Sequence, residues 1–323
     1  MEQWNIIKAY DYCYNVTDGT HDSPKQTEFG KYLITSKHIK DNRIDFESAY
    51  KISEDDYNKI ITRSKVDQWD IIISMIGAYC GFCCIESSKQ TDYAIKNVGL
   101  LKVGNELKCK WLYYYLTSPH GKQQLSKLRS GSSQPYISLG ALRNLDIPVP
   151  NENTMSDIVS VLSSLDSKIE LNRRINDNLE QQAQALFKSW FVNNPNPNWR
   201  EATLSEVAHF IGGYSYNGEE LTDSSNVAMA TIKNFGRNGG FKVDGFKDIT
   251  PLGKLKECHY ANMFDILVAH TDLTQNADVI GNAELLLTKG NYESIIFSMD
   301  LVKVLPNNSF PYKFLLAAML KSK

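Results

Sequence analysis

The chain has 323 residues and a formal net charge of -2, with 42% hydrophobic and 22% charged residues. This length predicts roughly two domains, and the composition is that of ordinary globular proteins, so a largely disordered chain is not expected. The near-neutral charge neither requires nor excludes nucleic acid, because a basic face can be balanced by an acidic face elsewhere.

The cysteines and the apolar segments favour a reducing compartment without membrane insertion. The six cysteines are irregularly spaced, as is typical of reduced cytosolic thiols rather than of a disulfide framework. The N-terminal stretch MEQWNIIKAYDY has no basic region followed by an apolar core, so no secretory signal is predicted. The most apolar window, Ile71 to Ile85, is shorter than the roughly 20 residues of a bilayer span. It predicts a buried strand, a Gly-rich turn and a second strand in a cytoplasmic protein with no membrane partner.

Residues 1–150 form the first predicted domain. Runs of β-branched and aromatic residues separated by Gly, Asn and Asp predict mainly strands. The block WLYYYL, which begins at Trp111, predicts one helix. Together these patterns indicate an α+β domain.

Residues 151–193 form a predicted long helix with a heptad seam. Thr154 through Asp157 are candidates for its N-terminal cap, and Pro195 and Pro197 prevent its continuation. About 37 residues at roughly 1.5 Å each give a rod of about 55 Å. A plain domain-linking helix would explain an apolar stripe, but Asn at seam positions can fix register and partner. The seam residues predicted to bind a partner are Leu165, Ile169, Asn172, Asn176, Leu179, Leu186 and Trp190.

Residues 194–323 repeat the first domain in the same order of blocks. WNIIKAYDYC resembles WREATLSEVAHF, YLITSKHIKDNRIDF resembles AMATIKNFGRNGGF, and WDIIIS resembles FDILVA, at offsets of 195 or 196 residues. A fourth pair, WLYYYL and PYKFLL, follows a strand-like segment in each copy. The second copy lacks a counterpart of the segment RSGSSQPYISLGALRNLDIPVP and of the long helix, so we expect it to be incomplete.

Three stretches carry a resemblance to a known family. They are VTDGTHDSP with the following YLITSKHIKDNRIDF, GSSQPYISLGALRNLDIPVP at residues 131–150, and LDSKIELNRRINDNLEQQAQALF within the long helix. In this order and spacing, the sequence resembles the DNA-specificity subunit of Type I restriction-modification enzymes over all 323 residues.

The resemblance implies an α+β fold with two repeated, mainly-β target-recognition domains and a long spacer helix between them. Each recognition domain would bind half of a split double-stranded DNA target, and the helix would dock adenine methyltransferase subunits. A restriction subunit would join this complex, and the specificity chain itself would not be catalytic. It would hold no cofactor, while S-adenosylmethionine, ATP and Mg would belong to the partner subunits. Because the second spacer helix is missing, a homodimer through the spacer helix is a further expectation.

Five polar loops, three in the first copy and two in the second, are the candidates for contact with DNA. Base edges need side-chain donors and acceptors, and phosphates need Lys, Arg, hydroxyls or backbone amides. The alternative is that each loop only shapes a turn or forms solvated surface. The loop DGTHDSPK supplies Thr20, His21 and Lys25; SKHIKDNR supplies Lys37, His38, Lys40 and Arg43; KLRSGSSQPY supplies Arg129, Ser132, Ser133 and Gln134. The second copy supplies Tyr214, Tyr216, Lys233, Asn234 and Arg237.

Patterns typical of enzymes are incomplete in this sequence. NNPNPNW lacks the adjacent prolines and the preceding strand of an adenine methyltransferase motif, and no P-loop is present. Cys80 and Cys83 form a C-x-x-C without a second Cys or His pair at zinc-ligand spacing. The first alternative is a coiled-coil interaction protein that scaffolds or inhibits a methyltransferase without reading DNA sequence, and a stand-alone enzyme is the weaker alternative.

Overall fold

The computed structural model describes residues 4–40, 42–131, 134–237, 239–272 and 277–321. The chain divides into two compact units, the first ending at Asn178 and the second beginning at Leu179. Mixed helices and sheets in both units, with a long helix between the sheets, confirm the predicted α+β class. The predicted domain limits at residues 150 and 193 remain predictions.

The first unit is built mainly from short strands. Its strands are β1 Asn5–Lys8, β2 Asn15–Asp18, β3 Lys31–Thr35, β4 Ile39–Lys40, β5 Arg43–Ile44, β6 Lys51–Ile52, β7 Asp70–Ser74, β8 Cys83–Glu86, β9 Tyr93–Lys96, β10 Val98–Lys102 and β11 Asp146–Val149. Its helices are α1 Ala9–Tyr12, α2 Glu54–Ser64, α3 Glu106–Thr117, α4 Pro119–Lys127, α5 Leu139–Arg143 and the start of α6 Glu152–Phe187. The predicted strand, turn and strand between residues 71 and 85 are confirmed as β7 and β8.

The first unit places its main sheet between two apolar clusters. The antiparallel sheet has the order β2-β10-β7-β8, and a second sheet has the order β6-β3-β9 with β3 and β9 parallel. Ile71 and Ile73 pack in the cluster that contains α3, whereas Ile72 packs against residues of β3 and β9. Strand β7 is therefore buried on both faces, which explains its uninterrupted apolar sequence. Strands β1 and β11, and β4 and β5, form two-stranded pairs.

The second unit repeats this arrangement. Its strands are β12 Ala208–Gly212, β13 Val227–Ala230, β14 Lys247–Asp248, β15 Tyr260–Ala261, β16 Ile266–Ala269, β17 Ala283–Leu285, β18 Ser294–Phe297 and β19 Leu301–Pro306, and its helices are α7 Leu204–Val207 and α8 Lys313–Lys321. The order β12-β19-β16-β17 corresponds to β2-β10-β7-β8. The order β14-β13-β18 corresponds to β6-β3-β9, again with one antiparallel and one parallel pair.

A tight turn with a left-handed aromatic residue recurs in both units. Trp69 has φ 67° and Phe264 has φ 68°, and each is followed by an aspartate. The carboxylate of Asp70 accepts a hydrogen bond from the backbone N–H of Asp67 at 2.8 Å. The carboxylate of Asp265 likewise accepts one from the N–H three residues earlier at 2.9 Å. The recurring aspartate of WDIIIS and FDILVA is therefore a turn-closing residue.

Helix α6 begins at Glu152, close to the predicted start at residue 151, but with a different cap. Asn151 provides the cap, since its Oδ1 accepts a hydrogen bond from the N–H of Thr154 at 2.8 Å, so the expected cap at Thr154 through Asp157 is wrong. The helix continues without a break to Phe187 and passes into a π-helical turn over Lys188–Asn193. Within the described ranges, no helix combines the length and apolar character needed to cross a bilayer.

Candidate nucleic-acid interface

Several loops of the first unit meet at one edge of its sheets. Asp18, at the end of β2, pairs with Gly99, and Ser74, at the end of β7, pairs with Val98 at the start of β10. The parallel strands β3 and β9 end side by side at this edge, and Asn97 joins β9 to β10. We call this edge the carboxyl edge of the first unit. It carries the loops that follow β2, β3, β7 and β9.

The loop after β2 is held against β9 by close backbone contact. A Cβ on Gly19 would lie 2.4 Å from the carbonyl oxygen of Ile95, so only glycine fits there. This approach brings Thr20 into a parallel bridge with Lys96. The close packing fixes the direction in which the following side chains leave the sheet.

His21 lies between two oxygen atoms at the carboxyl edge. Its Nδ1 is 3.0 Å from Oδ1 of Asn97, and its Nε2 is 3.0 Å from Oδ2 of Asp18. Asp18 is buried, whereas the His21 side chain is 68% exposed. The ring is therefore oriented by the protein and still open to a ligand.

Further polar side chains at this edge were missed by the sequence analysis. Arg63, at the end of α2, donates to the carbonyl oxygen of Gly19 at 2.8 Å and to Oδ1 of Asp18 at 3.1 Å, and it stays 57% exposed. Lys96 donates to Oγ of Ser23 at 2.6 Å. Local sequence gives no signal for Arg63, because α2 reaches the edge only through tertiary packing. Lys25 is exposed in the same loop.

The turn after β3 separates two neighbouring candidates. Lys37 is exposed, but His38 is fully buried and its Nδ1 accepts a hydrogen bond from the N–H of Thr35 at 3.0 Å. Burial and the nearby Lys37 charge lower the pKa of His38, which favours the unprotonated Nδ1 that this acceptor role requires. The prediction that His38 contacts DNA is wrong, since its side chain caps a turn. Lys40 is exposed and pairs with Asp45 at 2.8 Å. Its hairpin neighbour Arg43 is exposed as well.

The second unit uses the same turn with a different side chain. Asn234 is fully buried, and its Oδ1 accepts a hydrogen bond from the N–H of Thr231 at 2.8 Å. Its Nδ2 donates to the carbonyl oxygen of Lys242 at 2.7 Å. The predicted DNA contact by Asn234 is therefore wrong for the same reason as that by His38. Lys233, between these capping residues, is exposed.

The aromatic candidates of the second unit differ in accessibility. Tyr214 is 5% exposed, and its hydroxyl donates to Oε2 of Glu220 at 2.7 Å while accepting from the N–H of Gly253 at 3.0 Å. The prediction that Tyr214 contacts DNA is wrong, because this hydroxyl is committed inside the fold. Tyr216 is partly exposed, and its hydroxyl accepts from Nζ of Lys247 at 3.1 Å.

The last candidates occupy exposed loops. Arg237 is exposed, with its Nε 3.8 Å from Oδ2 of Asp278. Gln134 is exposed, and Arg129 is exposed while donating to the carbonyl oxygen of Cys80 at 2.6 Å. Ser132 and Ser133 lie outside the described residues.

The long helix is packed at its start and bare further along. Met155 and Val159 pack against Trp111 of α3, and the hydroxyl of Tyr114 donates to Oδ2 of Asp166 at 2.8 Å. Every residue from 171 to 186 is exposed, and we call this stretch the bare part of the helix. The predicted apolar seam residues are 49–62% exposed, namely Leu165, Ile169, Leu179, Leu186 and Trp190.

Two asparagines and two further apolar residues lie in the bare part of the helix. Asn172 and Asn176 are exposed, so both side chains are accessible to a partner, as the predicted seam requires. Leu171 and Ile175 are 51% and 45% exposed and lie next to them. The heptad pattern did not indicate these two residues, because they fall outside the predicted seam. They widen the apolar surface of the helix around the asparagines.

A family model described as Type I restriction modification DNA specificity domain matches residues 2–181, which is more than half of the chain. The chain belongs to this family. The specificity subunit of the Type I restriction enzyme HindI from Haemophilus influenzae is 44% identical over 136 residues, covering 42% of this chain and 28% of that protein. The specificity subunit of the enzyme MjaVIII from Methanocaldococcus jannaschii is 25% identical over 194 residues, covering 58% of this chain and 45% of that protein. The chain thus spans less than half the length of these family members.

A solved structure of the family was also matched. The crystal structure of the S subunit of a Type I restriction-modification system from M. genitalium shares 17% sequence identity with this chain, at a TM-score of 0.49. The match covers 99% of this chain and 77% of that chain.

Proposed function

We propose that this chain is the sequence-specific DNA recognition subunit of a Type I restriction-modification complex. Each unit would read one half of a bipartite double-stranded target through loops at the ends of its strands. The observation that carries the proposal is the family match over residues 2–181 in a chain whose two units repeat one order of strands.

The proposed DNA contacts are the exposed and partly exposed polar residues at these loops. Exposed cations suit phosphates, and Gln, Asn, Thr and His can address base edges. In the first unit we propose Thr20, His21, Lys25, Lys37, Lys40, Arg43, Arg63, Lys96, Asn97, Arg129 and Gln134. In the second unit we propose Tyr216, Lys233 and Arg237.

Helix α6 is the proposed docking element for adenine methyltransferase subunits. An isolated helical segment of about 15 residues is marginal in water, so the bare part of α6 favours a partner that covers its apolar side. Asn172 and Asn176 would set the register of that partner, since a polar residue in an apolar seam accepts only matched neighbours. A second copy of this chain, pairing through the same helix, is the other partner we propose.

The chemistry would reside in the partner subunits. We propose that this chain is non-catalytic, that methyltransferase subunits bind S-adenosylmethionine, and that a restriction subunit uses ATP and Mg. The complex would act in the cytoplasm. Burial raises the pKa of the Cys83 thiol to about 12, which keeps this C-x-x-C cysteine protonated, so we do not propose it as a nucleophile.

The competing function is a coiled-coil protein that holds a methyltransferase without reading sequence. It is not favoured, because it gives no role to two units that repeat the same edge of loops. Mapping of methylated adenines in cells that carry this chain would identify the target. Gel shifts of the full chain with purified methyltransferase, on target and scrambled duplexes across a range of salt, then decide. Preference for the target supports the proposal, and equal affinity for both duplexes contradicts it.

A further inference from the structure

Three large aromatic side chains lie exposed together at the carboxyl edge of the first unit. Tyr79 and Phe82, in the turn between β7 and β8, are 38% and 48% exposed, and Tyr136 is 46% exposed. The rings of Tyr79 and Phe82 meet edge to face with centroids 5.8 Å apart. We call these three residues the aromatic cluster.

The backbone beneath the aromatic cluster is rigidly built. The N–H of Gly81 donates to the carbonyl oxygen of Ser74 at 2.8 Å, and the N–H of Phe82 donates to that of Tyr79 at 2.9 Å. Gly81 has φ 92°, a left-handed conformation that a side chain would strain. The turn therefore presents its rings at little further cost in conformational entropy when a ligand binds.

Tyr136 is tied to the same turn through backbone hydrogen bonds. The N–H of Gly77 donates to the carbonyl oxygen of Pro135 at 2.8 Å, and the N–H of Ile137 donates to that of Met75 at 2.9 Å. Tyr136 itself exchanges two hydrogen bonds with Ser130, at 2.8 and 2.9 Å. These bonds brace Tyr136 against the turn that carries Tyr79 and Phe82, although Tyr136 lies more than 50 residues beyond Phe82 in sequence.

The segment that carries Tyr136 is basic, and it borders the turn that carries Tyr79 and Phe82. The segment from Ser118 to Leu145 contains no Asp or Glu, and its basic residues are Lys122, Lys127, Arg129 and Arg143. A Cβ on Gly81 would lie 3.3 Å from Nη2 of Arg129, so this cationic segment borders the turn directly. The turn itself, residues 75–82, has no charged side chain. Exposed rings inside a cationic surround match a polyanion that also offers flat apolar faces, which is the chemistry of a nucleic acid.

We propose that the aromatic cluster enters the target duplex and stacks on bases at one step of the first half-site, which it unstacks. This inference rests on the proposed function, and it adds an apolar wedge to the polar contacts. The flanking cations would hold the backbone while the rings separate neighbouring bases. In the second unit, the described residues of the corresponding turn after β16, at 270–272 and 277–282, include no Phe, Tyr or Trp. The two half-sites would therefore be read by different chemistry.

The test uses the full chain with purified methyltransferase and a duplex that carries the sequence recovered by methylation mapping. Each adenine of the half-site is replaced in turn by 2-aminopurine, whose fluorescence rises when it is unstacked. We expect a rise at one step with the native chain and none with the Tyr79→Ala/Phe82→Ala variant. Base stacking on aromatic residues predicts a loss of affinity of about 5- to 100-fold. Because stacking releases no counterions, the salt dependence of binding should not change.

The control is Phe29→Ala, which removes another exposed aromatic ring. Phe29 is 78% exposed and precedes the amino end of β3, at the far end of that strand from the carboxyl edge. Its loss should leave both affinity and fluorescence unchanged. If the double variant folds poorly, Phe82→Leu replaces it in the test. This substitution keeps the apolar volume but not the ring, so it should lose part of the fluorescence rise.

The outcomes separate this inference from the proposed function. If the native chain shows no preference for the target duplex, the proposed function fails. If it prefers the target but fluorescence stays flat at every position, or if the double variant binds like the native chain, only the wedge fails. Loss of methyltransferase assembly in the absence of DNA would assign the aromatic cluster to a protein partner and overturn the wedge.

Discussion

Nζ of Lys102 lies 2.8 Å from Oδ2 of Asp70, in a pair that is almost completely buried in the main sheet of the first unit. Lys102 also reaches Asp67 at 2.8 Å and the carbonyl oxygen of Lys65 at 2.8 Å. Burial opposes the charge on Lys102, but the hydrogen bonds to Asp67 and Asp70 outweigh it and raise the pKa of Lys102. In the second unit, Lys303 of β19 lies 3.9 Å from Asp265, the residue that precedes β16.

Removal of the lysine should destabilise the first unit. Lys102→Met leaves the Asp70 carboxylate buried without its counter-charge, which costs about 3–5 kcal/mol of unfolding free energy. Urea unfolding of the full chain, followed at the transition of the first unit, measures this loss. Lys110→Met is the control, because Lys110 forms a solvent-accessible ion pair with Glu106 on α3. Removal of this pair should lower the unfolding free energy by less than about 1 kcal/mol. Equal effects of the two substitutions would contradict the role given to burial.

The cap of the turn after β3 should accept an exchange of residue type. His38→Asn supplies the same acceptor that Asn234 supplies in the second unit, so it should keep both stability and DNA affinity. His38→Leu leaves the N–H of Thr35 without its partner and should cost about 1–3 kcal/mol. Thermal unfolding and gel shifts give the two readouts. A loss of DNA affinity in a stable His38→Asn variant would show that the His38 side chain contributes to DNA binding, contrary to this prediction.

The glycine after β2 should not tolerate a side chain. Gly19→Ala places a Cβ 2.4 Å from the carbonyl oxygen of Ile95, so β2 and β9 must separate at the carboxyl edge. We expect weaker DNA binding and a loss of about 1–3 kcal/mol, as for other overpacked sites. Gly140→Ala is the matched control, since Gly140 lies in α5 with its nearest neighbour 4.0 Å away. That change should be neutral or stabilising by up to about 1 kcal/mol.

Asp45 should contribute a pH-dependent increment of stability. Hydrogen bonds from Lys40 and Ser48 lower the pKa of Asp45 to about 2. A carboxyl whose pKa is lowered on folding stabilises the protein above its unfolded-state pKa of about 4, and this contribution disappears as the pH falls towards 2. The pair is near the surface, so the contribution should stay below about 1 kcal/mol. The difference in unfolding free energy between the native chain and Asp45→Asn should therefore shrink between pH 5 and 2. A constant difference would mean that the charge of Asp45 plays no part.

A charge in the apolar seam should block the partners of helix α6. Leu179→Asp places a carboxylate in the middle of the bare helical segment, where any covering helix would have to desolvate it. We expect at least a tenfold loss of methyltransferase binding, or of self-association if a second copy is the partner, which corresponds to about 1.4 kcal/mol. Light scattering with and without methyltransferase reports both. Glu180→Asp, on the adjacent exposed position, should bind as the native chain does.

The sequence alone was sufficient to predict the repeat, the strands around the apolar core, the helix at Trp111 and the long helix. These features depend on local periodicity and on matched blocks, which a single chain displays. It could not separate Lys37 from His38 or Lys233 from Asn234, because a short turn directs neighbouring side chains to opposite environments. The contacts of His21 with Asn97 could not be predicted either, since they join residues 76 apart in sequence.

The exchange of an imidazole for a carboxamide at the turn after β3 has a consequence for how the two halves of the chain compare. His38 and Asn234 are different residues, yet each offers one acceptor to the N–H three positions earlier. Trp69 and Phe264 differ in the same way while sharing a left-handed backbone. The two halves share a set of side-chain hydrogen bonds to equivalent backbone groups, and more than one residue type can form each bond. Their structural similarity is therefore greater than their residue identity suggests, and a comparison should ask which backbone group each side chain binds.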